Sequence, residues 1–179
     1  TRCSRDWSSD VCSSDLGRPA GRRGEIRPSP IELSARDLGL DPVLALPRLR
    51  PQAAVDAVLA LKPELIVLAD DGRIVPPALL DLPHGALNLH PSALPRHRGA
   101  IPIAATILAG DRETAVTVIR MDDGIDTGPI VGQASVPLDG TETTPTLEPR
   151  LAGLGAALLL RVLGPWLDGN LAAIAQPSA

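Results

Sequence analysis

Residues 64–69, ELIVLA, form a continuous apolar, β-branched run between Pro63 and the loop formers Asp70, Asp71 and Gly72. A run without polar alternation suits a strand buried on both faces, and such a strand needs helices above and below it. The chain offers them. Apolar residues recur at helical spacing over 31–38 and 51–61, where Ala54, Val55, Val58 and Leu59 share a face. Shorter helices are expected from Pro76 or Pro77 through Leu80 and over 101–108, the latter stopped by Gly110. A long helix is expected within 145–167, closed by Gly164 and Pro165 or by Gly169. Between these lie strand-like runs at 86–90, 114–121 and 129–136. Helices alternating with buried strands predict an α/β domain with an open, mostly parallel, Rossmann-like sheet. Ligands of such sheets gather at the carboxyl ends of the strands, where 70–75, 88–90 and 122–127 are expected to lie.

Composition narrows the function classes. At 179 residues, 44% hydrophobic and 21% charged, the chain reads as one globular domain. A formal net charge of −4 argues against general nucleic-acid binding, so any contact to an acidic polymer must come from a local basic patch. The stretch 17–30, GRPAGRRGEIRPSP, is such a patch: Arg18, Arg22, Arg23 and Arg27 against one acid, Glu25, in a loop of turn formers. It is equally well a solvated loop. Both cysteines, Cys3 and Cys12, precede residue 16, which leaves no disulfide framework or cysteine metal site elsewhere and fits a cytoplasmic setting. No run of about 18 uninterrupted apolar residues suggests a membrane span.

Residues 1–16, TRCSRDWSSDVCSSDL, carry neither helical nor strand period. Their segment 6–16 is what a common sequencing-library adapter would encode, so 1–16 is expected to be a non-native, disordered leader, with the authentic chain opening near Gly17 inside a loop.

Chemistry concentrates in GALNLHPSALPRHRGAIP, residues 85–102. Alternation in 86–90 sends Asn88 and His90 to one face, just before Pro91. An amide and an imidazole together can donate hydrogen bonds to a reacting oxygen. His84, in a Pro-His-Gly turn, and His97, between two arginines, read as solvated loop residues. Asp126 stands in MDDGIDTGP, 38 positions beyond Asn88, where glycines and a proline bracket an acid after a strand. Two imitations carry little weight: GLGAAL at 153–158 follows no strand and lacks a third glycine, and DDGID lacks calcium-loop spacing.

LNLHPSALPRHRGAIPIAATILAGDRETAVTVIRMDDGIDTGPIV, residues 87–131, resembles the catalytic core of the enzymes that move the formyl group of 10-formyltetrahydrofolate. LPRHRGAIPI, MDDGIDTGPI and the upstream GRPAGRRGEIRPSPI resemble most closely the methionyl-tRNA formyltransferase family. The resemblance implies a formyltransferase fold with Asn88, His90 and Asp126 as catalytic residues. It implies folate contacts from 70–75 and 121–127, among them Arg73, Ile74, Val75, Met121, Asp122, Gly124 and Thr127. Arg22, with Arg18 and Arg23, would meet the tRNA acceptor end. Initiator methionyl-tRNA and folate would be the partners of an intact monomer, with no membrane and no metal. The family's opening strand, helix and strand, and its carboxyl-terminal barrel, have no counterpart here, so 17–179 is expected to be a partial catalytic domain. Asp71 stands where the family usually has tyrosine. Another folate-linked formyltransferase or formyl hydrolase acting on a small substrate, and a non-catalytic α/β fragment, remain alternatives.

Formyl transfer to an amine passes through a tetrahedral carbon bearing a negative oxygen. The site must aim donors at that oxygen and take a proton from the attacking nitrogen. Asn88 suits the first task because its amide donates without ionising. An Asp126 carboxylate would orient the His90 ring.

Overall fold

The computed structural model describes residues 18–20, 25–27, 30–40, 44, 46, 49–69 and 74–177. Residues 1–16, expected to be a non-native leader, lie outside them. Two short strands, β1 (Arg18–Ala20) and β2 (Glu25–Arg27), pair antiparallel with Arg18 opposite Arg27. Part of the arginine-rich stretch, expected as a loop, is therefore a two-stranded ribbon.

Helices α1 (Pro30–Asp37) and α2 (Gln52–Leu59) lead to β3 (Ile66–Ala69), the short α3 (Pro77–Leu80) and β4 (Ala86–His90). Then come α4 (Pro102–Leu108), β5 (Glu113–Arg120), β6 (Ile130–Pro137) and α5 (Thr144–Leu167). These are the elements that periodicity predicts, with boundaries shifted by a residue or two. The long helix runs through Pro149 and Pro165 and stops before Gly169, whose φ of +70° takes the left-handed turn at its end.

The sheet is open and four-stranded, in the order β3-β4-β5-β6. Among the described strands only β3 and β4 are parallel; β4–β5 and β5–β6 are antiparallel. The expectation of a mostly parallel sheet is corrected here. β5 and β6 are joined by residues 121–129 alone, a hairpin-length link that cannot carry a parallel crossover.

Both faces of the sheet are covered. Leu87 and Leu89 of β4 pack with Val118, Val131, Leu158 and Val162 beneath α5. The helix buries Leu147, Leu151, Gly155, Leu158 and Val162, which recur every three or four residues along one stripe. On the other face Ala86 and Leu68 pack with Val55, Val58, Val75 and Leu79 under α2 and α3. Asn88 and His90 share the Ala86 face by the two-residue strand period.

Candidate active site

β5 buries every residue from Thr114 to Ile119, and β4, hydrogen-bonded between it and β3, holds Asn88 and His90 in the middle of the sheet. His90 is only 4% exposed. Asp126 reaches them by a different route from the expected meeting of strand ends. Because β5 is antiparallel to β4, its carboxyl end lies beside the start of β4, with Arg120 opposite Leu87 and the Met121 amide donating to Ala86 O at 2.8 Å. The 122–128 loop then folds back along the sheet toward the far end of β4.

There the three side chains converge. Asn88 Nδ2 donates to Asp126 Oδ1 at 3.3 Å, and His90 Nδ1 stands 3.5 Å from Asp126 Oδ2. The Gly99 amide donates to Asp126 Oδ2 at 2.8 Å. His90 Nε2 lies 2.9 Å from His97 O, and a carbonyl only accepts, so Nε2 carries a hydrogen and Nδ1 is the atom turned to Asp126. Asn88 uses one amide hydrogen on Asp126, which leaves the other for a ligand oxygen.

Asp126 adopts φ +52°, a left-handed conformation that costs an L-residue about 1–2 kcal/mol. Its surroundings fix it there. Gly128 crosses so close to β5 that a Cβ would stand 1.8 Å from Arg120 O, so only glycine passes. Asp122 Oδ1 accepts from the Gly124 amide at 3.1 Å and from Thr127 Oγ1 at 2.7 Å, closing the loop on itself.

The opposing loop, 91–100, is pinned from below. Thr117 Oγ1 donates to Ser92 O at 2.7 Å, Gln133 Nε2 reaches Thr117 Oγ1 at 2.8 Å, and Ser92 Oγ donates to Arg96 O at 2.7 Å. Asp111 ties the loop from the side, accepting from Arg96 and, at 2.7 Å, from His97 Nε2. Burial favours the neutral acid, but the hydrogen bonds from His97 and Arg96 and the charge of both outweigh it and hold the Asp111 carboxyl below its usual value.

The residues expected to hold folate are differently placed. Ile74 is 65% exposed, whereas the Val75 side chain is buried in the core and Met121 packs against that core, so a ligand beside them meets backbone more than side chain. Gly124 and Thr127 are exposed, and Asp122 is half-buried. Arg73 and Asp71, like Arg22 and Arg23, lie outside the described residues; Arg18 stands in β1. Among the described residues no three His, Cys, Asp or Glu side chains converge as a metal ligand set.

His97 corrects the expectation of a solvated histidine, since its side chain is 16% exposed and paired to Asp111, and its carbonyl meets His90. Sequence reasoning also missed Gly99, Arg98, Asp111 and Gln176. The glycine between Arg98 and Ala100 was the one local signal, its φ of +95° being a glycine conformation.

A strand-borne Asn-x-His thus faces a loop aspartate, which brings an amide donor, an imidazole and a carboxylate together in one place. The chain belongs to the formyl transferase family, which it matches over residues 11–163. It is 44% identical over 171 residues to the methionyl-tRNA formyltransferase of Ralstonia nicotianae, covering 90% of this chain and 52% of that protein. The chain thus spans about half the length of the curated relatives it matches. Phosphoribosylglycinamide formyltransferase from Bacillus halodurans superposes with a TM-score of 0.68 at 30% identity, covering 79% of this chain and 77% of that one. A formyltransferase from Anoxybacillus kamchatkensis, solved with tetrahydrofolate and a formylated nucleotide sugar, has a TM-score of 0.56 at 28% identity over 64% of this chain and 60% of its own.

Proposed function

We propose that this chain carries the catalytic site of a cytoplasmic methionyl-tRNA formyltransferase, with 10-formyltetrahydrofolate as donor and the amino group of methionyl-tRNA as acceptor. The observation that carries the reading is the meeting of Asn88, His90 and Asp126 at 3.3 and 3.5 Å. The tRNA acceptor is favoured by the 44% identity to an enzyme of that name, against 30% for the glycinamide ribonucleotide enzyme. In this reading 17–179 is the catalytic portion and 1–16 a non-native leader.

The acceptor nitrogen attacks the formyl carbon, a C–N bond forms, and the carbonyl electrons move to oxygen. The remaining Asn88 hydrogen would donate to that oxygen. The His90–Asp126 pair takes the proton from the attacking nitrogen and returns it to the folate nitrogen as the old C–N bond breaks. His90 can donate to the oxyanion itself only if the His97 carbonyl gives way, so Asn88 is the principal donor. Folate would lie along 73–75 and 121–127, with Arg73 and the backbone near Ile74, Val75, Met121, Asp122, Gly124 and Thr127 against its ring. Arg18, Arg22 and Arg23 would meet phosphates of the acceptor stem.

The test offers the protein formyl-folate with methionyl-tRNA or with small amines. Formylmethionyl-tRNA should be the dominant product, and Asn88→Ala should lower kcat about 100- to 1000-fold. Equal use of small amines would reassign the acceptor; near wild-type turnover in Asn88→Ala would remove the mechanism.

A further inference from the structure

Gln176 joins the two loops that enclose the site. Its Nε2 donates to Asp126 O at 2.7 Å and to Gly128 O at 2.8 Å. Its Oε1 accepts from Arg98 Nε at 3.1 Å and from Arg98 Nη2 at 2.6 Å. Both amide hydrogens and the carbonyl oxygen are thus engaged, and the orientation is unambiguous. Turned over, the amide would set its oxygen against two carbonyl oxygens and its hydrogens against a guanidinium. The height of the segment is set by an antiparallel bridge between Ile174 and Ile130, the first residue of β6, with hydrogen bonds of 2.7 and 2.8 Å.

The contacts fall where Asp126 needs support. One carbonyl that Gln176 grips is Asp126's own, on a residue held at φ +52°. Its other partner, Arg98, lies between His97, whose carbonyl meets His90, and Gly99, whose amide meets the Asp126 carboxylate. Backbone on one side of the catalytic pair is thereby tied to backbone on the other through a single amide.

We propose that Gln176 is a positioning residue for formyl transfer, clamping the 122–128 loop to the 97–99 segment so that the Asp126 carboxylate stays within reach of Asn88 and His90. This rests on the proposed function. Gln176→Glu discriminates it from a packing role, because glutamate keeps the shape and the Arg98 contact but presents oxygen to the Asp126 and Gly128 carbonyls. The variant should lose about 10- to 100-fold in kcat, the effect of a displacement near 1 Å at reacting groups. KM for both substrates should stay within about threefold.

The Gly99 amide reports the same clamp without catalysis. By NMR its proton should move upfield in Gln176→Glu, and its hydrogen exchange should be about tenfold faster as the Asp126 carboxylate withdraws. Arg98→Ala should reproduce both changes. Wild-type kcat in Gln176→Glu while Asn88→Ala is inactive would overturn the clamp alone, as would an unmoved Gly99 amide. Turnover that survives Asn88→Ala would overturn the site itself, leaving the Gly99 amide to judge the contact.

Discussion

Asn88 and Asp126 touch, yet the chain holds them by opposite means. Asn88 sits inside a strand whose neighbours on both sides fix its height and whose two-residue period fixes its face. Asp126 sits in a connection without regular structure, in a backbone conformation it would not choose, kept by hydrogen bonds from Asn88, Gly99 and Gln176. A strand residue is placed by repetition, so many weak contacts share the task. A loop residue is placed by a few specific contacts, and each matters correspondingly more.

The largest effect that tests this difference belongs to Gly128→Ala. Its new Cβ would stand 1.8 Å from Arg120 O, so the backbone carrying Asp126 has to move. Turnover should fall by more than about 100-fold, with a loss of about 3 kcal/mol in stability, read from activity and urea denaturation. A tolerated alanine would mean that the loop is not confined as described.

Asp111→Asn probes the opposing loop. Asparagine keeps the shape but gives up charge-assisted bonds from His97 and Arg96, and the cost at neutral pH should be about 1 kcal/mol. The sign with pH follows from the lowered carboxyl. Its stabilisation is complete above the ordinary carboxylate value and fades as pH falls through the lower, folded value. Denaturation midpoints of wild type and variant should therefore converge below about pH 4. A gap that stays constant down to pH 2 would detach Asp111 from the loop.

The smallest effect is on the side of regular structure. Gly153 is an exposed position on α5 where an added Cβ meets nothing within 4 Å. Gly153→Ala should stabilise the chain by about 0.5–1 kcal/mol and leave turnover unchanged. Altered turnover would show that the helix, too, reports to the site.

The same division governs what could be read ahead of the structure. β4 was legible to the residue, and with it the shared face of Asn88 and His90, because alternation is a local pattern. The helices were legible from their apolar stripes. Gln176 was not, since an amide in an alanine-rich segment announces nothing until the chain returns it to Gly128, 48 positions earlier. His97 looked solvated because its partner, Asp111, lies beyond a helix. The expectation that strand ends converge failed because strand direction is not a local property: β5 enters antiparallel, and its loop must travel back along the sheet.

The amino-acid sequence by itself determined the α/β class, the strand that carries an amide and an imidazole on one face, and the glycine-bracketed aspartate, all features with short-range periodicity or turn chemistry. Tertiary structure alone decided the strand directions, the left-handed placement of Asp126 and the amide that ties one loop to the other. Those depend on hydrogen bonds between groups far apart in the chain, whose partners are chosen only when the sheet closes and brings them within 3 Å or so of each other.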